Sequence, residues 1–292
     1  MVANPFPQFI RRWILLDIIQ AIILGIVQGA TEFLPISSSA HLVIVPHLIG
    51  MNYSDLAFDT LLHIATLVAV IGYFRVEVVN ILKGFFSSLL DIPQGTFTEG
   101  IKNDPIKRLS WFIIIGSIPA GLMGVFFKDF FEGLFNNLPA VGSLLIITGL
   151  ILWASEILYR KFPRKRLFES MNLADVLLIG FAQGCAIMPG ISRSGATIAT
   201  GLSLGLEREF MAKYSFLLSI PAILGASLVQ LKDIMGGFHF ETGSFTLGFI
   251  AATISGYLAI KYFLKFIRTR NLILFSCYCW IIGGLTLIIS IL

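Results

Sequence analysis

The sequence predicts an all-α, polytopic membrane protein with about six transmembrane helices and two re-entrant helical hairpins, set in an inverted-topology repeat. Three observations carry this. The 292 residues are 56% hydrophobic and only 13% charged, about half the charged share with which a soluble domain covers its surface. Long uncharged runs recur along the chain. Two further apolar segments are each broken internally by Pro, Gly and Ser, and they resemble one another.

The uncharged runs 109–127, 133–155, 214–231, 242–260 and 271–292 each match the roughly 17–25 residues that a helix needs to cross the hydrocarbon core. A shorter run, 60–74, reaches that length with residues 57–59 and the snorkelling stem of Arg75. The chain between 81 and 107, with Pro93-Gln94-Gly95-Thr96, is expected to be a connection along the membrane surface. All 292 residues read as one integral membrane domain, with repeats at about 13–158 and 173–292. Arg11 and Arg12 precede an apolar run in the manner of a signal peptide. That run leads straight into the most polar stretch of the chain, so it is read as mature protein.

The broken segments are residues 13–50, interrupted around Glu32, Pro35, Ser37, Ser38, Ser39 and His41, and 173–206, interrupted around Pro189, Gly190, Ser192, Arg193, Ser194 and Gly195. Irregular backbone survives at membrane depth only where protein or a water-filled cavity satisfies it. Paired re-entrant hairpins are the economical solution. Gly25-Ile-Val-Gln28-Gly29 recurs 155 residues later as Gly180-Phe-Ala-Gln183-Gly184, and Ile36-Ser37-Ser38-Ser39 as Ile191-Ser192-Arg193-Ser194. Three spans separate the segments, and an odd number inverts the second copy, which is the arrangement that gathers broken helices around a shared site. Ser117-Ile-Pro-Ala and Ser219-Ile-Pro-Ala repeat at a different offset and stand outside this scheme.

Charge sets an orientation. On this topology one side collects sixteen basic residues, from Arg75 through Arg164 to Arg270, and the other only Arg11, Arg12, Lys128 and Lys232. The positive-inside rule then puts both termini and the mouth of the first hairpin outside. The net charge of +4 calls for no nucleic-acid partner. Cys185, Cys277 and Cys279 lie in apolar stretches, so no disulfide framework is expected.

Glu32 and Arg193 are ionisable groups at membrane depth, and such residues are functional by default. A structural ion pair pinning the hairpins is the plainer alternative. The Ser-rich turns weigh against it. Pro35-Ile-Ser37-Ser38-Ser39 and Pro189-Gly-Ile-Ser192-Arg193-Ser194 both read as loops entering helix N-termini, whose free N–H groups and dipole hold anions. An arginine between two such ends makes a diphosphate cradle.

Gln28 to His41 also matches the Glu/Gln-x-x-x-Glu motif and the serine/histidine stretch of the bacterial undecaprenyl-diphosphate phosphatase family, of the bacitracin-resistance type. Pro189–Thr197 matches that family's second signature, PGxSRSxxT, and the chain resembles the family over nearly its whole length. The resemblance implies an enzyme of the bacterial cytoplasmic (inner) membrane, and the charge count above then opens its site to the periplasmic side. It would remove the terminal phosphate of a C55 polyprenyl diphosphate, recycling the carrier for cell-wall synthesis and conferring bacitracin resistance. Gln28 stands where some members carry a first glutamate, which leaves Glu32 the one carboxylate of the motif.

The candidate catalytic residues are Ser38, His41, Glu32 and Arg193, with Ser37, Ser192, Ser194 and Thr197 as the phosphate shell. Ser38, His41 and a water are all admissible nucleophiles. Glu32, helped by Gln28, would hold a divalent cation (Mg2+ or Ca2+) or act as base. His41, one turn beyond Ser38, would shuttle the proton. Ser39 reads as a simple cap, and His47 and His63 as structural. The competing function is a transporter or flippase of a phosphorylated polyprenyl lipid using the same cradle. A histidine-nucleophile lipid phosphatase is excluded, because the position its motif requires as His is Ala199. The oligomeric state stays open, a homodimer included.

Overall fold

The computed structural model describes the backbone of residues 8–49, 56–162, 165–234 and 242–291, with side chains over 18–49, 57–162, 165–230 and 243–291. Of the basic residues counted above, Arg164 lies outside these, as do the side chains of Arg11, Arg12 and Lys232. The N-terminal processing question falls there too.

Thirteen α-helices make up the described chain. Four are long and apolar enough to cross a membrane: α6 (Pro105–Phe126), α8 (Leu138–Arg160), α11 (Arg208–Ile234) and α12 (Thr242–Ile267). The other two expected spans are also helical. α13 (Ile273–Ile289) has 17 residues, and α3 (Leu56–Tyr73) has 18 and turns by 86° at Phe74 into α4 (Arg75–Leu90). The outward surface carries apolar side chains such as Val125, Phe126, Tyr262, Ile281 and Leu285, as lipid contact requires. Local signals place the ends. Asp104 accepts from Ile106 N ahead of Pro105, and Asn137 caps α8 ahead of Pro139.

The connection 81–107 is largely helical. α4 runs to Leu90, and α5 (Phe97–Asn103) follows a turn in which Gly95 has φ 70°. Lys107 Nζ on α6 donates to Asp91 Oδ2 at 2.6 Å, and Trp111 Nε1 donates to Ser88 Oγ at 2.9 Å. α7 (Lys128–Phe135) is short and lies between the ends of α6 and α8.

Both motif segments are helix–break–helix units: α1 (Gln8–Glu32) with α2 (Ser38–Leu48), and α9 (Leu173–Cys185) with α10 (Arg193–Ser203). The packing is reciprocal between the halves. α1 lies along α12 and α9 lies along α6, while α3 meets α11 and α8 meets α13. Small residues make these crossings close. A Cβ on Gly25 of α1 would strike the carbonyl of Gly248, and a Cβ on Gly180 of α9 would strike the carbonyl of Gly116. Lipid tails offer no hydrophobic drive to helix association, so the drive is this backbone contact. The two Ser-Ile-Pro-Ala copies lie on α6 and α11, which pack together but do not occupy matching places in the two halves.

Far from the breaks, Glu156 of α8 takes a two-pronged bond from Arg208 (2.5 and 2.9 Å) and a third from Leu272 N (2.7 Å), tying α8, α11 and the start of α13 together.

Gly180→Val is expected to lower the thermal unfolding midpoint in detergent, by overpacking worth about 1–3 kcal/mol. Gly121→Ala, where an added Cβ meets nothing within 4 Å, should hold or raise it. Fluorescence-detected size exclusion after heating checks both.

Candidate active site

The two breaks meet. Pro35 keeps the residue before it out of the helical region, so α1 stops at Glu32. The chain then reverses through Ser37, the one described non-Gly residue at positive φ (66°). Such a conformation costs about 1–3 kcal/mol and persists where the surroundings over-determine it. Here they do. Ser37 Oγ accepts from Gly190 N in the other loop at 3.1 Å and from Ala40 N at 3.4 Å, capping α2. In return Ser194 Oγ donates to Leu34 O at 3.0 Å.

α8 clamps the second loop. Thr148 Oγ1 donates to Gly190 O at 2.8 Å and accepts from Ser192 N at 3.1 Å. Gly190 has φ 111°, and a Cβ there would lie 2.6 Å from both Val141 O and Leu144 Cβ, so only glycine fits. Ser192 caps α10 by accepting from Gly195 N at 3.1 Å.

Glu32 sits where the loops join. Its Oε1 accepts from Arg193 Nη2 at 2.9 Å. Its Oε2 accepts from Ser38 Oγ at 2.6 Å and Gln28 Nε2 at 2.9 Å. Ser38 opens α2 and Arg193 opens α10, so two positive helix ends converge on this carboxylate. Arg193 Nη1 also donates to Ser215 O on α11 at 3.4 Å. The structure therefore gathers Gln28, Glu32, Ser38 and Arg193 into one cluster, with Gln28 and Glu32 buried and Ser38 and Arg193 half-buried.

The other expected residues flank it. Ser37 and Ser194 hold the loops to one another, Ser192 bonds to Ser194 and caps α10, and the Thr197 hydroxyl is turned to Ser215 Oγ of α11 at 2.6 Å. Ser39 bonds with Ser37 at 3.1 Å. His41 lies behind Ser37. Its Nδ1 bonds Ser37 O at 2.8 Å and its Nε2 bonds Tyr278 Oη at 2.7 Å, with the two rings stacked. Neither ring nitrogen is bonded to Ser38 or Glu32.

Two residues set aside or passed over in the sequence belong here. His63 of α3 brings Nε2 to 3.9 Å from Glu32 Oε2. An ionisable group inside an apolar span was the signal available for it. Thr148 was one hydroxyl in an apolar run, with no periodicity to mark it.

The site lies within a known family. Residues 21–285 match the family described as bacitracin resistance protein BacA. The chain belongs to this family. It is similar to an undecaprenyl-diphosphatase of Methanobrevibacter smithii, at 49% identity over 92% of this chain and 96% of that protein. A protein of the same name from Methanosphaera stadtmanae is 47% identical over 95% of this chain and 99% of its own length. Undecaprenyl-diphosphatase 2 of Stutzerimonas stutzeri is 42% identical over 94% and 98%. The BacA family match spans both loops and every residue of the cluster.

Thr148→Val keeps the shape but leaves Gly190 O and Ser192 N without this partner. A loss of about 1–3 kcal/mol is expected, with Thr148→Ser near wild type. Unfolding midpoints of the two variants in detergent decide it.

Proposed function

We propose that this chain hydrolyses the terminal phosphate of undecaprenyl (C55 polyprenyl) diphosphate, returning the monophosphate carrier to cell-wall synthesis and thereby conferring bacitracin resistance. The observation that carries the reading is the Ser38–Glu32–Arg193 chain at the meeting of two helix N-termini inside an apolar bundle. Helix ends and a guanidinium suit a diphosphate, and the surrounding bundle suits a lipid tail. The names of the relatives support the same substrate.

In this reading the diphosphate enters with its terminal phosphoryl group against Arg193 and the first-turn N–H groups of α2 and α10. Ser38 Oγ, already donating to Glu32 Oε2 at 2.6 Å, attacks the terminal phosphorus while Glu32 takes its proton. The P–O bond to the bridging oxygen breaks, and the lipid monophosphate leaves with a proton. Water then attacks the phosphoserine, regenerating Ser38 and releasing inorganic phosphate. Arg193 balances the charge on the transferring oxygens. His41 holds the Ser37 turn that aims Ser38, and Ser192, Ser194 and Thr197 keep the α10 end in place.

A divalent cation, Mg2+ or Ca2+, fits the oxygen donors in part. Gln28 Oε1 is buried without a hydrogen-bond partner and stands beside the Glu32 carboxylate. The described residues contain no group of three or more His, Cys, Asp or Glu that could hold a metal. Gln28 and Glu32 would therefore share the ion with phosphate oxygens and water, and it would supply further charge neutralisation there.

The count of basic residues, sixteen against four, favours placement in the cytoplasmic (inner) membrane with the site open to the periplasmic side. The reciprocal packing of α1 on α12 and α9 on α6 favours one second reading, transport of the same lipid. A homodimer is compatible with either.

Wild-type protein in detergent is expected to release phosphate from a polyprenyl diphosphate. Glu32→Ala, Ser38→Ala and Arg193→Ala should each lose about a hundredfold or more in kcat, with folding checked by size exclusion. Inactivation by chelator would add the cation. Detergent has no two sides, so a wild-type protein that binds the lipid and releases no phosphate leaves the transport reading.

A further inference from the structure

The turn that precedes Ser38 is fixed by more than its own loop. Ser37 O accepts from the main-chain N of His41 at 3.3 Å and from its ring Nδ1 at 2.8 Å. That carbonyl belongs to the rigid peptide plane that joins Ser37 to Ser38. Whatever holds the His41 ring therefore also sets the plane from which Ser38 starts. A carbonyl only accepts, so Nδ1 carries a hydrogen, and in the neutral ring Nε2 is the acceptor. Its donor is Tyr278 Oη at 2.7 Å. The two rings stack, with centroids 5.7 Å apart and planes at 12°.

Tyr278 lies on α13, whose outward residues include the aliphatic Leu274, Ile281, Leu285 and Ile288. A phenyl ring would meet lipid equally well, and a hydroxyl at this depth is costly without a partner. α13 is itself held firmly. A Cβ on Gly283 would lie 2.7 Å from Gly142 O of α8, so the two helices touch backbone to backbone. Cys279, beside Tyr278, directs its Sγ to Pro35 O at 3.7 Å. α13 thus meets the first broken segment on both sides of Ser37, while α8 holds the second through Thr148.

We infer that Tyr278 is a positioning residue for Ser38. Its hydroxyl holds the His41 ring, and the ring holds the Ser37–Ser38 plane that keeps Ser38 Oγ on Glu32 Oε2. The inference deepens the phosphatase reading and rests on it. Tyr278 acts through His41 and leaves the binding of phosphate by Arg193 and the helix ends alone. Its hydroxyl therefore matters to turnover and not to affinity.

The test compares wild type with Tyr278→Phe, which keeps the stacked ring and removes the hydroxyl. A second variant, Tyr278→4-aminophenylalanine, restores a donor at the same place. Phosphate release from a polyprenyl diphosphate in detergent is measured beside the unfolding midpoint. Tyr278→Phe is expected to lose about tenfold in kcat, with KM within about twofold and the midpoint near wild type. The amino group should recover most of that loss. Histidine 15N spectra give a second readout, since the chain has four histidines and His41→Ala identifies one signal. Tyr278→Phe should move the His41 Nε2 signal and leave the others in place. Turnover of Tyr278→Phe within about twofold of wild type overturns the role, and so does a His41 signal that stays where it was. A loss carried by KM overturns it too. So does a loss that follows a falling midpoint and that the amino group does not recover, which is the mark of a structural residue. Absence of phosphate release by wild type itself overturns the phosphatase reading, and the Tyr278 role with it.

Discussion

The bond between Glu32 and Arg193 joins the two halves of the protein at the point where each backbone is broken. A lone carboxylate or guanidinium inside an apolar bundle would cost several kcal/mol, and so would a loop with unpaired N–H and C=O groups. Each half carries one of these charges and one of these loops. Brought together they satisfy each other: Arg193 meets Glu32, Gly190 N meets Ser37, and Ser194 meets Leu34 O. The glycine crossings of α1 on α12 and α9 on α6 deliver the loops to that meeting point. Thr148 keeps the second loop from relaxing away from it.

The halves resemble each other, but the chemistry is in their differences. At the 155-residue offset Glu32 corresponds to Ile187, Ser38 to Arg193 and His41 to Ala196. One copy supplies the acid and the hydroxyl, and the other supplies the cation, so a single site forms. Gln28 and Gln183 are the matching pair that shows the consequence. Gln28 donates to Glu32. Gln183 is equally buried, but its own half holds Ile187 in place of a carboxylate, and both ends of its amide lack a hydrogen-bond partner.

Arrangements of this kind hold phosphate without strong demands on side-chain number. On the reading proposed above, two helix N-termini, one guanidinium and one hydroxyl bonded to a carboxylate would serve as a binding site and a nucleophile. The apolar bundle around them lowers the local dielectric and strengthens each charge interaction. Ser37, strained at φ 66°, sets the direction of the first residue of α2, which is Ser38.

The amino-acid sequence by itself determined the membrane class, the helical apolar runs and the two breaks, and it marked Glu32 and Arg193. Each follows from a local property: run length, Pro/Gly/Ser chemistry, or a charge too costly to bury without purpose. Gln28 and Ser38 were legible through the family motif. The sequence also carried the likeness of the halves, since that is a spacing within one chain. Only the tertiary structure decided which histidine faces the carboxylate, because His41 and His63 differ in what lies across from them and not in their own helices. The same holds for Thr148 and Thr197, whose hydroxyls are assigned by partners in the loop between α9 and α10 and on α11. The stretch 81–107 became helices for a like reason. α4 is held by the Lys107–Asp91 and Trp111–Ser88 contacts and α5 by Phe97 against Trp111, and those exist only once α6 packs beside them.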